Sequence, residues 1–143
     1  VPDIPQGNYA MSTDPVREYL QEKGCSRKVI EGGLPDLIES WESICASVIK
    51  GYRLGLDDYL NDMDVRQLLA ESLGVATTQQ REAVSHRLQE ADDAVKAALE
   101  SAGKCLWGDE VAEEEGWSAR KNWWYFSKPR KAAAELLAEI ESI

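Results

Sequence analysis

The segment Ser40–Leu73, SWESICASVIKGYRLGLDDYLNDMDVRQLLAESL, holds two helical patterns joined by a bend with two glycines. Upstream of the bend, Leu34, Leu37, Ile38, Trp41, Ile44, Cys45, Val48, Ile49 and Tyr52 recur every three or four positions. Residues so spaced share one face of a helix, and an apolar face of that length must be buried. Gly51 and Gly55 bracket Tyr52, Arg53 and Leu54, which predicts a helix end near residues 50–53 and a reversal into a helical hairpin. Asp57 or Asp58 then suits the first turn of the next helix as a cap. The phase Leu56, Tyr59, Leu60, Met63 does not run smoothly into Val65, Leu68, Leu69, Leu73, so a break is expected near Asp62–Asp64. Asp64 would cap the second piece and Gly74 would close it.

On the N-terminal side, Pro35 suits the first turn of the central helix, and Gly32-Gly33 separates that helix from a short turn capped by Ser26 and carrying Val29 and Ile30. Before it, Ser12 or Thr13 would cap a first helix with Pro15 in its first turn, the stripe Val16, Tyr19, Leu20, and a stop at Gly24. Residues 1–10, VPDIPQGNYA, read as an appended or disordered leader, with Met11 as the native start of a single helical domain over 11–143. On the C-terminal side, Thr77 or Thr78 caps the longest expected helix, running to about Ala102. Its stripe is Val84, Leu88, Ala91, Val95, Ala98 and Ala102, the alternating four-three seam of a bundle helix. Glu82 to His86, Asp92 to Lys96 and Glu100 to Lys104 are spaced as weak supporting pairs on the other face.

The composition then changes. Residues 105–128, CLWGDEVAEEEGWSARKNWWYFSK, hold four of the chain's five tryptophans without a sustained helical or strand period. Pro129 opens the expected last helix, with the stripe Ala133, Leu136, Leu137, Ile140, Ile143. No two strand-like alternations capable of pairing stand out. The reading is an all-α, compact bundle of about five or six helices with an irregular Trp-rich segment before the C-terminal helix.

Within 143 residues, Lys and Arg number 16 against 26 Asp and Glu, for a net charge of −10. That balance repels phosphate backbones and anionic lipid, so neither nucleic acid nor a membrane is an expected partner. No apolar run approaches the roughly 20 residues of a spanning helix. Cys25, Cys45 and Cys105 are odd in number and widely spaced, which suits reduced thiols in a cytoplasmic protein better than a disulfide framework.

Catalytic motifs are scarce. The single histidine, His86, lies on the charged face of a helix and cannot complete a two-histidine metal site or, without a GxSxG elbow, a serine triad. No GxGxxG or GxxxxGK[ST] phosphate loop occurs. Cys45 falls on the buried stripe, where a packing role outweighs a nucleophilic one.

Two constellations remain. Glu39 and Glu42 share a face of the central helix, and Asp57, Asp58, Asp62 and Asp64 gather on the next one. Antiparallel helices presenting carboxylates to each other can hold Mg²⁺. The spacing resembles the all-α nucleotide pyrophosphohydrolases, with Glu39-Ser-Trp-Glu42 as the first half of their motif and Asp58-Tyr-Leu-Asn61, or a pairing through Asp62, in place of their ExxD. That resemblance implies a Mg²⁺ site at Glu39, Glu42, Asp58 and Asp62. The competing reading makes these residues caps and a solvated face.

The second constellation is the charge-split aromatic segment. Asp109, Glu110, Glu113, Glu114 and Glu115 precede Arg120, Lys121, Lys128, Arg130 and Lys131, with Trp117, Trp123, Trp124, Tyr125 and Phe126 among them. The last three cations fall at the start of the expected last helix, opposing its dipole, so an acidic group should offset them. The tryptophans either form a lid that completes the core, or leave Trp123, Trp124 or Tyr125 at the rim of a groove for a partner. A small-ligand pocket among Trp41, Tyr52, Trp123 and Trp124 is a further option, and a homodimer through a narrow apolar stripe is compatible with the pattern.

The first functional expectation is an acidic, cofactor-free protein-binding module, of the general style of adaptors and immunity-type inhibitors. Tyr52, Asp57, Asp58, Asp62, Trp123, Trp124 and Tyr125 would meet a basic protein partner. The second is the Mg²⁺-dependent pyrophosphohydrolase.

Overall fold

The computed structural model describes residues 14–143, so the expected leader, Met11, Ser12 and Thr13 lie outside the described residues. Among the described residues the chain is an all-α bundle of six helices with a small two-stranded sheet and a Trp-rich cluster before the last helix. Helix α1 spans Pro15–Lys23, and its cap is Asp14, whose Oδ1 accepts from the backbone N–H groups of Val16 and Arg17. Helix α2 spans Arg27–Lys50 and is broken at Gly33, where φ is 60° and ψ −156°. Only glycine enters that conformation without strain. Pro35 lacks the N–H that would bind the carbonyl of Glu31, and the Arg17 guanidinium donates to that carbonyl instead, at 2.9 Å. The kink is thereby fastened to α1.

Helix α3 spans Leu56–Val75 without interruption, so the break expected near Asp62–Asp64 does not exist. The buried positions are Tyr59, Leu60, Met63, Arg66, Leu69 and Ser72, which continue one three-four seam through the whole helix. Its slot at 66 holds an arginine, and that polar occupant is why the apolar phase looked broken. Asp64 caps nothing, Gly74 lies inside the helix, and Gly55 is the N-cap. Neither Asp57 nor Asp58 supplies the capping bond, because the Leu56 N–H donates to Glu139 of the last helix at 3.0 Å.

Helix α4 spans Thr78–Ala97 and opens with a capping box between Thr77 and Gln80. It stops five residues short of Ala102, because Leu99–Ser101 is strand β1, antiparallel to β2 at Ser127–Pro129. Pro129 therefore ends a strand and does not open a helix. Three-residue strands are too short to display a period, and a proline at a strand end removes no needed donor. Between the strands lie the short helix α5, Asp109–Glu115, and a 3₁₀ turn, Trp123–Tyr125. Helix α6 begins at Ala134 and ends at Glu141. The approach to it is held extended by Tyr52, whose N–H donates to Lys131 and whose carbonyl accepts from Ala133.

The core runs through all these elements, with Val16, Leu20, Ile38, Trp41, Val48, Tyr59, Leu69, Leu136 and Ile140 almost wholly buried. Burying a large apolar side chain contributes about 1.5–3 kcal/mol each, which makes this shared interior the main support of the bundle. The expected surface pairs give way to other partners. His86 faces Glu90, Asp92 meets Arg66 of α3, and Glu100 meets Lys128 and Arg130 across the sheet. Glu100 is thus the acidic group that offsets two of the three late cations. No helix among the described residues is long and apolar enough to cross a membrane.

Candidate functional site

The Trp-rich segment is built on one buried charge. Arg66 projects from α3 and is 8% exposed. Its Nε and Nη2 donate to both carboxylate oxygens of Asp92 on α4, at 3.1 and 2.9 Å, and the indole N–H of Trp41 on α2 donates to the same carboxylate at 2.9 Å. The guanidinium lies 4.4 Å from the ring centre of Trp124, 5.9 Å from Trp123 and 6.0 Å from Trp41. Arginine stacked on aromatic faces is attracted by their quadrupoles, and in a dry site that attraction reaches about 2 kcal/mol. The Lys96 ammonium covers Trp123 from outside, 4.7 Å from its centre. Three helices and the aromatic segment therefore meet at Arg66.

This geometry relocates the aromatic candidates. Trp124 and Tyr125 are buried and Trp123 is half-buried, so the first two complete the core. Tyr52 is also buried, edge-on against Tyr59 at 5.0 Å between ring centres. Trp41, Trp123 and Trp124 surround Arg66, whereas Tyr52 packs against Tyr59 and bonds Asp62. Asp57 and Asp58 are exposed on the first turn of α3. Asp62 accepts from the Tyr52 hydroxyl at 2.6 Å.

The carboxylates do not converge on a metal. Glu42 pairs with Arg87 of α4, and the hydrogen bonds from that guanidinium hold its carboxyl below the usual range. Glu39 is exposed, and among the described residues no three His, Cys, Asp or Glu side chains group closely enough to hold an ion. The residues implied by the pyrophosphohydrolase resemblance thus do not fit Mg²⁺. The buried thiols offer no nucleophile either. Burial, with a smaller contribution from Asp92, pushes Cys45 up to about 12, and burial raises Cys105.

Asp62 supplies a test of local electrostatics. Burial raises its carboxyl above the usual range, the Tyr52 hydrogen bond opposes the rise, and Asp58 adds to it. An acid raised on folding destabilises the fold once ionised. That cost is absent below the unfolded value, near 3.9, and develops as pH rises through the folded value. Asp62→Asn keeps an oxygen for Tyr52 and removes the charge, so the variant is expected to be more stable at pH 7 and to lose its advantage at about pH 3.5. Urea midpoints at the two pH values check this, and an equal shift at both contradicts it.

A cavity of about 450 Å³ opens between α3 and the segment leading into and out of α5. Trp107, Trp117 and Tyr125 line it together with Asp64, Leu68, Glu71, Val111, Glu115, Gln67, Lys23 and Cys25. Its placement follows from local chain chemistry. Asp109 accepts from the Cys105 N–H at 3.0 Å and Gly108 adopts φ 107°, which turns Trp107 outward before α5 begins. At the other end Gly116 adopts the left-handed conformation, and the Trp117 N–H returns to the carbonyl of Ala112. Trp117 then stacks on Tyr125, 4.2 Å between centres and 27° between planes. Asn122, itself buried, donates to Gln67 of α3 and accepts from the Ser118 N–H.

In the cavity lining, Asp64 Oδ1 accepts from the Trp107 indole at 3.1 Å and from the Tyr125 hydroxyl at 2.6 Å. Burial and this carboxylate together hold the Tyr125 phenol protonated far above its usual range. Both donors are neutral, and Asp64 forms no ion pair among the described residues. Glu71 differs. Burial would raise it, but hydrogen bonds from Lys23, Tyr19 and Gln67 carry it below the usual range.

Of this site only Tyr125 stands out in the sequence as a contact residue. Asp64 reads as a cap and as one of a group of aspartates, Trp117 as part of the aromatic segment, and Trp107 only as one of four tryptophans in residues 105–128. The available signal was Gly108 and Gly116 flanking α5, which set where the two indoles leave the helix. A separate groove of about 360 Å³ runs between α3 and α4, but its charges are mixed, with Arg81 and Lys96 beside Asp92 and Asp93. Comparison with protein-family models, curated proteins and solved structures gave no significant match.

Proposed function

We propose that this chain is an acidic, cofactor-free protein-binding module that docks a basic partner through α5 and the indoles beside it. The observation that carries this reading is Trp107. It is 40% exposed, yet it is fixed by its hydrogen bond to Asp64, next to a seven-residue helix with five carboxylates. None of those five carboxylates forms an ion pair among the described residues. Fixed aromatics anchor protein interfaces, and unpaired surface charge of one sign steers an oppositely charged partner to them. Adaptors and immunity-type inhibitors act in this way, by stoichiometric binding without chemistry. Its three free thiols suit the cytoplasm.

The test is affinity capture with the immobilised protein at low and high salt, beside Trp107→Ala and the surface variant Glu110→Gln/Glu114→Gln. A basic protein held by the wild type, weakened by salt, and lost from both variants supports the proposal. Capture that survives both variants, or no specific capture at any salt, overturns it.

A further inference from the structure

We infer that the cavity beside α5 receives one cationic side chain, a lysine or arginine, from a basic segment of the partner. This rests on the protein-binding reading and adds the recognition subsite to it. The chemistry of the lining defines the occupant. An apolar guest would leave the Asp64 charge in a half-buried site with two neutral donors and no cation, and desolvation of an unpaired carboxylate is unfavourable. An anionic guest would face Asp64, Glu71 and Glu115 together. A cation satisfies the remaining oxygen of Asp64 and meets indole and phenol rings on the way in.

The one cation of the lining among the described residues does not fill this role. Lys23 binds Glu71 at 2.8 Å and lies over the ring of Tyr19, at 5.9 Å from its centre. Its charge therefore neutralises Glu71 and leaves Asp64 and Glu115 uncompensated. Leu68 and Val111 add apolar surface to the lining, suited to the methylene stem that lysine and arginine share. The site is set by ordered parts. Asp64 stands on an uninterrupted helix, and Tyr125, stacked on Trp117, is tied to it by its hydroxyl at 2.6 Å.

The indole N–H of Trp107, bonded to Asp64, is a built-in reporter. Its proton resonance, assigned with Trp107→Phe, is followed while N-acetyl-argininamide, N-acetyl-lysinamide or the neutral isostere N-acetyl-citrullinamide is added. Saturable shifts with the two cations, in the millimolar range expected for a single side chain, and none with citrullinamide are the expected result. Asp64→Asn, which retains an oxygen for both donors, should weaken the cations about tenfold or more. Equal responses to argininamide and citrullinamide, non-saturating shifts, or unchanged affinity in Asp64→Asn overturn the subsite. The α5 variant Glu110→Gln/Glu114→Gln separates the two proposals. It leaves the cavity lining intact, so it should keep argininamide binding within twofold while losing partner capture, whereas the failed subsite shows itself in wild type without any partner.

Discussion

Asp92→Ala is expected to lower the unfolding free energy by about 3–5 kcal/mol, the usual cost of removing one partner from a buried ion pair. The side chains of Arg66 and Asp92 are 9% and 13% exposed, so water cannot replace the lost carboxylate. The guanidinium would be left with the tryptophan faces, and its Nη1 already lacks a hydrogen-bond partner among the described residues. The Trp41 indole N–H would lose its acceptor as well. Arg66→Ala is expected to be comparably damaging, since it leaves the carboxylate buried and opens a void beneath Trp124. The double variant Arg66→Met/Asp92→Leu should cost far less than the sum of the singles, because it removes both charges and refills the space. Urea denaturation of wild type, this double variant and its component singles Arg66→Met and Asp92→Leu measures the coupling. Additive losses, or a loss below about 1 kcal/mol for Asp92→Ala, would show that the pair is not the keystone described above.

Trp124→Ala follows in size, at about 3–5 kcal/mol for truncating a buried tryptophan. The residue is 3% exposed, meets Trp123 edge-on at 5.4 Å, and covers the Arg66 guanidinium. Its indole N–H has no hydrogen-bond partner among the described residues, so Trp124→Phe should cost distinctly less. The local effect is as informative as the global one. Tyr125 and Phe126 accept from the N–H groups of Leu106 and Ala102, at 2.8 and 2.9 Å. Hydrogen exchange at those two amides should accelerate in Trp124→Ala more than exchange in α2 does. Equal acceleration throughout would mean that the aromatic segment and the helices open as one unit.

The helices were legible in the sequence wherever burial is periodic. Leu34 to Val48 announces the stripe of α2, and Gly32-Gly33 announces its kink. Legibility failed where a polar residue took an apolar slot. Arg66 sits in phase with Met63 and Leu69, but its burial depends on Asp92, 26 positions away, and on tryptophans farther still. No local pattern carries that information. The strands failed for a different reason, since Leu99–Ser101 and Ser127–Pro129 are defined by each other and not by any alternation of their own. The cavity was the least legible part. Asp64 reads as one more aspartate among several until Trp107 and Tyr125, 43 and 61 positions away, are brought to it.

The pairing of β1 with β2 reaches beyond stability. Because the Ala102 N–H donates to Phe126, the intervening chain leaves and rejoins the bundle at a single place. An excursion whose two ends are pinned together can vary in length and composition at small entropic cost, since closure entropy grows only logarithmically with loop size. Exposed residues of the excursion such as Glu110, Glu113 and Glu114 accordingly carry little of the fold, whereas Trp124, Tyr125, Arg66, Asp92 and the helix seams carry most of it. The clasp thus divides the molecule into a fixed frame and an exposed excursion whose outermost positions, those of α5, tolerate change without loss of the fold.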